Sequence, residues 1–393
     1  MKNTIRLYLF IMFVDLLSIT MGNIFVNVFL MRISNDFASV LLFNAISFAL
    51  LSVSPLVLGS ISKKVSKKIG IVLGNIISIV MYLLVILLQE KVNDFVLILS
   101  LLSGISQGFY WLSMNTLLLE LADDAHRKRL NSLQGSINSL CQLSGPLLAS
   151  LIVASFPLML GYQVLFSVII IMMAISVIAC FFLKTKPSIQ PYSLKHVIKL
   201  KEFPHYLRAC GLTAQIFFRD GAIPSLLNVL IFEVVKNEQV LSYYLSYMTL
   251  LAMFVYYSLS YLHVSRRKLY AIGTLLCVTS MCLLAVGLHS EMQIAIFVTL
   301  FGIGSPICMY QMNILAQNVA YKMDGNCEYS LEFTIIKELA TGLGRITACV
   351  MLYLLYVKTY DFSLFWIFAS LSIGISVVSI HTYRKTLEEG FHV

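Results

Sequence analysis

LRACGLTAQIFFRDGAIPSLLNVLIFEVV, residues 207–235, decides how this chain is read. It is long and apolar enough to cross a bilayer as a helix. Yet Arg219 and Asp220 stand side by side near its middle. An ionised group at a bilayer centre costs roughly 2.5–3.5 kcal/mol on insertion scales, so it faces protein or a watery cavity and finds a partner. Pro224 interrupts the backbone ladder soon afterwards and Gly221 loosens it. The rest of the chain must supply the surroundings of a polar site at membrane depth.

Composition agrees with that reading. Of 393 residues, 59% are hydrophobic and 12% charged, and mean hydropathy is +0.86. Soluble domains carry about 25% charged residues, so this is a polytopic membrane protein. Its eight cysteines form no C-x-x-C pair and fall mostly inside apolar spans. They read as small core residues, with no disulfide framework and no metal site. The apolar run after Lys2 and Arg6 extends to Leu30. That is too long for a signal peptide and reads as the first transmembrane helix.

Twelve apolar spans follow, at about 5–31, 37–61, 70–89, 95–120, 131–156, 162–183, 207–235, 239–262, 268–289, 292–320, 330–357 and 362–383. Residues 184–206 form a basic loop with Pro187, Pro191 and Pro204, which divides the chain into lobes 1–183 and 207–393. With the N-terminus inside, the inside segments hold 21 Lys and Arg and the outside loops hold 4. Both termini are therefore expected in the cytoplasm, at the cell membrane. The net charge of +9 reflects these topology charges beside anionic lipid, and no nucleic-acid partner is implied.

The halves repeat. Ser66-Lys67-Lys68 matches Ser265-Arg266-Arg267 at an offset of 199; Gly104 and Met114 match Gly302 and Met312 at 198; Gly145 matches Gly344 at 199. Phe13-x-Asp15 resembles Phe218-x-Asp220 at 205, while Asn27-Val28 matches Asn228-Val229 at 201. A gap of four residues lies between them. Six spans per half make the repeat parallel, the arrangement of a two-lobed transporter with its site between lobes.

On these residues the chain resembles the major facilitator superfamily over essentially its whole length. The loop after span 2 resembles that family's loop signature through Gly59, Lys64, Lys67 and Lys68, with Lys63 at the position of the family's Asp and Ser66 at that of its second Gly. The family's carboxylate is thought to latch one conformation against a neighbouring helix, and Lys63 reverses its charge. Ser144-Gly145-Pro146, with Ala149 and Ser150, resembles the family's exporter motif, with Cys141 in place of its first glycine. The resemblance implies an all-α integral membrane protein of twelve transmembrane helices in two six-helix lobes, working as a monomer, with spans 1, 4, 7 and 10 around a central cavity.

Candidate proton-coupling residues are the intramembrane charges Asp15, Arg219, Asp220, Glu338 and Arg345. Burial favours the neutral form of a carboxylate, and a nearby arginine opposes this. Asp15 has no cation in its own span, which makes it the cleaner candidate. Glu338 and Arg345 share a helix face but lie about 10 Å apart along the axis, so their partners come from other helices, with Asp220–Arg345 the expected pair. The competing reading is a set of salt bridges that only fix packing. Glu332, near the end of its span, is expected to reach water.

Gln107, Trp111 and Asn115 share a face of span 4, beside Tyr110; Tyr310, Asn313 and Gln317 share one of span 10; Asn138 lies in a polar stripe of span 5. Aromatic and amide groups suit an organic substrate with an apolar body and some polar atoms. Interhelical hydrogen bonds, worth about 0.6 kcal/mol each in membranes, are the plainer use. Spans 6 and 12 read as lipid-facing. No G-x-x-x-x-G-K-[ST], H-E-x-x-H or G-x-S-x-G occurs, so neither an ATP-driven pump nor the commoner membrane hydrolases fit, and no cofactor is called for.

The expectation is a secondary active transporter, not an enzyme, that exports small organic molecules against protons by alternating access. A proton-linked importer of a nutrient or anionic metabolite is the alternative, and a non-transporting scaffold or sensor is the alternative of another class.

Overall fold

The computed structural model describes residues 2–34, 37–121, 127–185, 191–221, 223, 238–262, 264–324, 328–359 and 364–388. Pro224, Asn228 and the rest of span 7, together with the loop acids Asp123 and Asp124, lie outside the described residues. Among the described residues every regular element is a helix: α1 (Lys2–Ser34), α2 (Phe37–Lys64), α3 (Ile69–Leu88), α4 (Val96–Leu121), α5 (Arg127–Ala154), α6 (Leu158–Phe182), α7 (Leu194–Ile198), α8 (Phe203–Asp220), α9 (Glu238–Leu259), α10 (Arg266–Val286), α11 (Glu291–Met323), α12 (Ser330–Thr359) and α13 (Phe365–Glu388). A 3-10 turn at Gln89–Phe95 leads into α4. Spans 1–6 are α1–α6, span 7 begins with α8, and spans 8–12 are α9–α13. Ten of these helices are long and apolar enough to cross a membrane.

Local chemistry sets the ends. Ser290 Oγ accepts from the Gln293 N–H at 3.3 Å, and Gln293 Oε1 accepts from the Ser290 N–H at 3.1 Å, a capping box that starts α11. Gly287, at φ +99°, stops α10. Lys68 Nζ donates to the carbonyls of Phe181 at 3.2 Å and Leu183 at 2.9 Å, so a cation closes the C-terminus of α6.

The chain forms two compact units. The first comprises Met1–Leu121, Cys141–Leu194 and Cys327–Leu339; the second comprises Ala122–Leu140, Lys195–Asn326 and Ala340–Val393. Thus α5 and α12 each contribute their N-terminal part to the unit dominated by the other half of the chain. Within the first unit α2 and α3 pack on α4, and α6 packs on α3 and α1. Within the second, α9 and α10 pack on α11, and α13 packs on α10 and α8. These four pairings correspond helix for helix, as the parallel repeat requires; in the second unit α8 also packs on α11.

The matched glycines do matched work. A Cβ on Gly104 would collide with the Ser47 carbonyl of α2, and one on Gly302 would press on Met248 of α9. A Cβ on Gly145 would strike Thr20 of α1, and one on Gly344 would strike the Ala214 carbonyl and Phe218 N of α8. Close backbone approach through small residues is how helices associate in a bilayer. Gly344→Leu is expected to lower the melting temperature of the purified protein in detergent or to stop its accumulation, since overpacking costs about 1–3 kcal/mol or more. Gly374→Leu, where nothing lies within 4 Å, is expected to be neutral.

Candidate functional site

Asp15 is completely buried in α1. Asn75 of α3 donates through Nδ2 to Asp15 Oδ1 at 2.9 Å and to Ser176 Oγ of α6 at 3.1 Å. Asp15 Oδ2 and the hydroxyl of Tyr110, on α4, have no hydrogen-bond partner among the described residues. Tyr110 lies within electrostatic reach of Asp15, Tyr8, Cys141 and Cys180. No lysine or arginine among the described residues forms an ion pair with Asp15. Spans 3 and 6 gave no sign of this site, because one asparagine and one serine in long apolar runs look like ordinary packing residues.

Arg219 and Asp220 close α8. They are 1% and 8% exposed and pair with each other, Nε to Oδ1 and Nη2 to Oδ2 at 3.1 Å. Arg219 Nη1 donates to Ser376 Oγ of α13 at 3.3 Å, and Ser305 Oγ of α11 donates to Asp220 Oδ2 at 2.6 Å. The expected Asp220–Arg345 pair gives way to this arrangement. Gly221 lets the stem of Arg345 fill the space where a Cβ would sit, and its guanidinium lies 4.6 Å over the Phe217 ring. Arg219 is long enough to turn along the helix end and reach its own neighbour, so sequence adjacency did not keep the two charges apart.

A second charged cluster holds the start of α12 within the first unit. Lys63 Nζ pairs with Glu332 Oε1 at 2.8 Å and lies 4.5 Å over the Tyr329 ring. Glu332 Oε1 also accepts the Ser193 N–H at 3.0 Å. Lys67 pairs with Glu120 of α4, which accepts from Ser330 Oγ at 2.9 Å. Glu332 therefore does not reach water; it is 0% exposed. Beneath the charges Leu58, Leu112, Leu331 and Ile335 form an apolar floor, with Tyr192 packed against it. Gly59 leaves room for Tyr192 and Ile335, while Lys64 is exposed. Asn115 Nδ2 donates to Glu338 Oε1 at 2.7 Å, so that carboxylate is anchored to α4.

The remaining candidates divide by exposure. Gln107, Trp111 and Asn115 are all partly exposed, as one face of α4 should be, and Gln107 Nε2 bonds back to Ser103 Oγ at 3.1 Å. Tyr110 turns away from that face, 2% exposed, with Trp111 edge-on to it at 5.2 Å. Asn138 and Asn313 are partly exposed. Tyr310 and Gln317 are buried against the start of α5: the Tyr310 hydroxyl donates to the Lys128 carbonyl at 3.4 Å, and Gln317 exchanges amide hydrogen bonds with Asn131 at 2.8 and 3.1 Å. Gly145 is buried against α1, where Thr20 Oγ1 donates to the Cys141 carbonyl at 3.0 Å, and Pro146 follows inside α5. Among the described residues no cluster of metal-ligating side chains occurs.

The family model described as Major Facilitator Superfamily matches residues 8–324. An uncharacterized protein of Bacillus subtilis (strain 168), YqgE, is 25% identical over 346 residues, which is 87% of this chain and 80% of that protein. Among solved structures, the transporter FucP in its outward conformation aligns with a TM-score of 0.74 at 15% identity, covering 96% of this chain and 98% of that one. A bacterial homologue of the iron transporter ferroportin, in its outward-facing state, aligns with a TM-score of 0.73 at 14% identity over 98% and 99%. At such identity the two structures share the fold with this chain.

Removing one partner of a buried pair strands a charge, at a cost of roughly 3–5 kcal/mol. Lys63→Met is therefore expected to lower the melting temperature of the purified protein sharply. The exchange Lys63→Glu with Glu332→Lys is expected to recover only part of it, because an ammonium cannot accept the Ser193 N–H. Thermal unfolding of the three proteins side by side checks this.

Proposed function

The chain belongs to the Major Facilitator Superfamily of multi-pass membrane transporters, and on that footing we propose that it exports small, partly apolar organic molecules in exchange for protons. The observation that carries this reading is Asp15. It is a sealed carboxylate held by a neutral amide, with one oxygen unpartnered among the described residues. A charge in that position has no counter-charge, so taking up a proton is its route to neutrality. Asp220, which shares its charge with Arg219, has no such need. Of the two described intramembrane acids whose partner is an amide, Asp15 and Glu338, Asp15 is the one with a sealed, unpartnered oxygen to take the proton.

Substrate would meet the half-exposed face of Gln107, Trp111 and Asn115 in the first unit; Asn138 and Asn313 are the half-exposed amide candidates of the second. An indole and several amides offer apolar area with a few directed hydrogen bonds, and none of these side chains carries a charge that would demand an ionic substrate. The exporter-like stretch at Gly145 and Pro146 packs directly on α1, the helix that bears Asp15, so a proton on that helix and a bend in α5 are mechanically adjacent. A membrane potential supplies roughly 2.3 kcal/mol per charge per 100 mV, enough to drive exchange. The protein would act as a monomer in the cell membrane with both termini in the cytoplasm, in keeping with the 21-to-4 distribution of basic residues.

The test is proton movement driven by candidate substrates. Purified protein in lipid vesicles holding a pH dye is given a panel of lipophilic cations, organic acids and amino-acid-like compounds. Some member is expected to move protons in the opposite direction to itself, and Asp15→Asn is expected to cut that proton flux at least tenfold while the protein stays monodisperse. Protons and compound moving together would replace export with import. Carriage without protons would remove the coupling, and silence across a broad panel would favour a scaffold or sensor.

A further inference from the structure

Superposing the sequence repeat on the two polar sites gives an assignment that neither site gives alone. Asn75 and Thr274 occupy matched places at an offset of 199, Ser176 and Ser376 at 200, and Tyr110 and Cys308 at 198. In the first unit, Asp15 meets Asn75 and Ser176 and lies in electrostatic reach of Tyr110. In the second, Arg219 donates to Ser376, while both Arg219 and Asp220 lie in electrostatic reach of Cys308, whose sulfur is 3.5 Å from Thr274 Oγ1, so the hydrogen bond to Ser376 is what separates them. The residue of α8 that faces this cluster is therefore Arg219, at an offset of 204 from Asp15. Asp220 instead accepts from Ser305 of α11. The residue matched to Asp220 at the same 204 offset is Leu16, buried and apolar, and the residue matched to Ser305 at 198 is Gln107.

We infer that Arg219, and not Asp220, is the counterpart of Asp15 in the second repeat, and that of these two matched sites the first exchanges a proton, on Asp15, with Asn75 and Ser176 as its positioning residues.

The chemistry of the two clusters follows from what stands beside each charge. A guanidinium stays protonated under any physiological condition. Arg219 with Asp220 makes a pair of zero net charge, and protonating the carboxylate would strand the buried cation. Asp15 has apolar Leu16 where Arg219 has Asp220, and no ion pair balances its charge among the described residues. The titratable groups in electrostatic reach of it are Tyr110 from α4 and Cys180 from α6, and Tyr110 in turn lies in reach of Tyr8 and Cys141; Lys68 acts on Cys180 at the end of α6 and is tied to the carbonyls there. Asn75 bridges Asp15 and Ser176 through one amide nitrogen and so fixes the carboxylate against α3 and α6 while leaving Oδ2 for the proton. That one proton moves per cycle rests on the proposed coupling; the place of the proton does not.

Infrared difference spectra of the purified full-length protein, taken between alkaline and acidic buffer with no substrate present, test the assignment. A protonated buried carboxyl gives a carbonyl band that a carboxylate lacks. Wild type is expected to show such a band, lost in Asp15→Asn and displaced but present in Asp15→Glu. Asn75→Leu is expected to move the band to higher frequency, because the carbonyl loses its amide donor; a merely structural asparagine would leave it in place. The double variant Arg219→Gln with Asp220→Asn is expected to keep the band unchanged. A wild-type spectrum without the band, a band that survives Asp15→Asn, or one lost in the Arg219–Asp220 double variant would each overturn the inference. A band that behaves as expected in a protein whose vesicles move no protons would sink the coupling proposed above and leave this site standing.

Discussion

Hydrocarbon does not tolerate a lone charge, and the architecture of this protein can be understood as a set of answers to that constraint. Arg219 is answered by Asp220 and a serine from α13, Lys63 by Glu332 and an aromatic face, and Lys67 by Glu120. In each case desolvation of one ion is offset by an oppositely charged partner and by hydrogen bonds to its remaining atoms, without which burial would be prohibitive. Asp15 and Glu338 instead accept from amides, of Asn75 and Asn115, and acids at membrane depth with no ion pair among the described residues are where function is sought.

The two halves keep a common skeleton and diverge in chemistry. The same helix pairs pack in each unit, and glycines at matched offsets allow the same backbones to touch. On that skeleton the first repeat carries an acid, an asparagine, a serine and a tyrosine; the second carries an arginine with its own counter-ion, a threonine, a serine and a cysteine. The matched places differ in size as well as in charge, Tyr110 against Cys308 and Asp15 against Arg219. In the assignment proposed above, one repeat is ionically inert and the other carries the titrating group.

Two helices tie each half of the chain into the unit built mainly by the other. The start of α12 is fixed to α2 and α4 by ionic contacts and by Asn115–Glu338, whereas the start of α5 is fixed to α11 by the neutral Asn131–Gln317 exchange. Matched elements are therefore secured by unlike chemistry. Ion pairs are far more sensitive to removal of one partner than amide pairs, since what remains after a loss is a charge in one case and a neutral group in the other.

The helical class, the spans, the repeat and the family resemblance were all legible in the sequence, because a bilayer forces backbone groups into helices and demands about twenty apolar residues for each crossing. Asp15 stood out for the same reason: a carboxylate in an apolar run is conspicuous whatever surrounds it. Partners were another matter. Glu332 was expected in water and is sealed against Lys63, 269 residues away; Asp220 was expected to meet Arg345 and meets Arg219; Asn75 and Ser176 gave no signal at all. Periodicity reports which side chains share a face of one helix, and hydropathy reports its depth. Which face meets which neighbour, and which of two nearby cations reaches an acid, depends on backbone approach at glycines such as Gly221 and on side-chain reach across helices distant in the chain, and only the packed tertiary structure decides those.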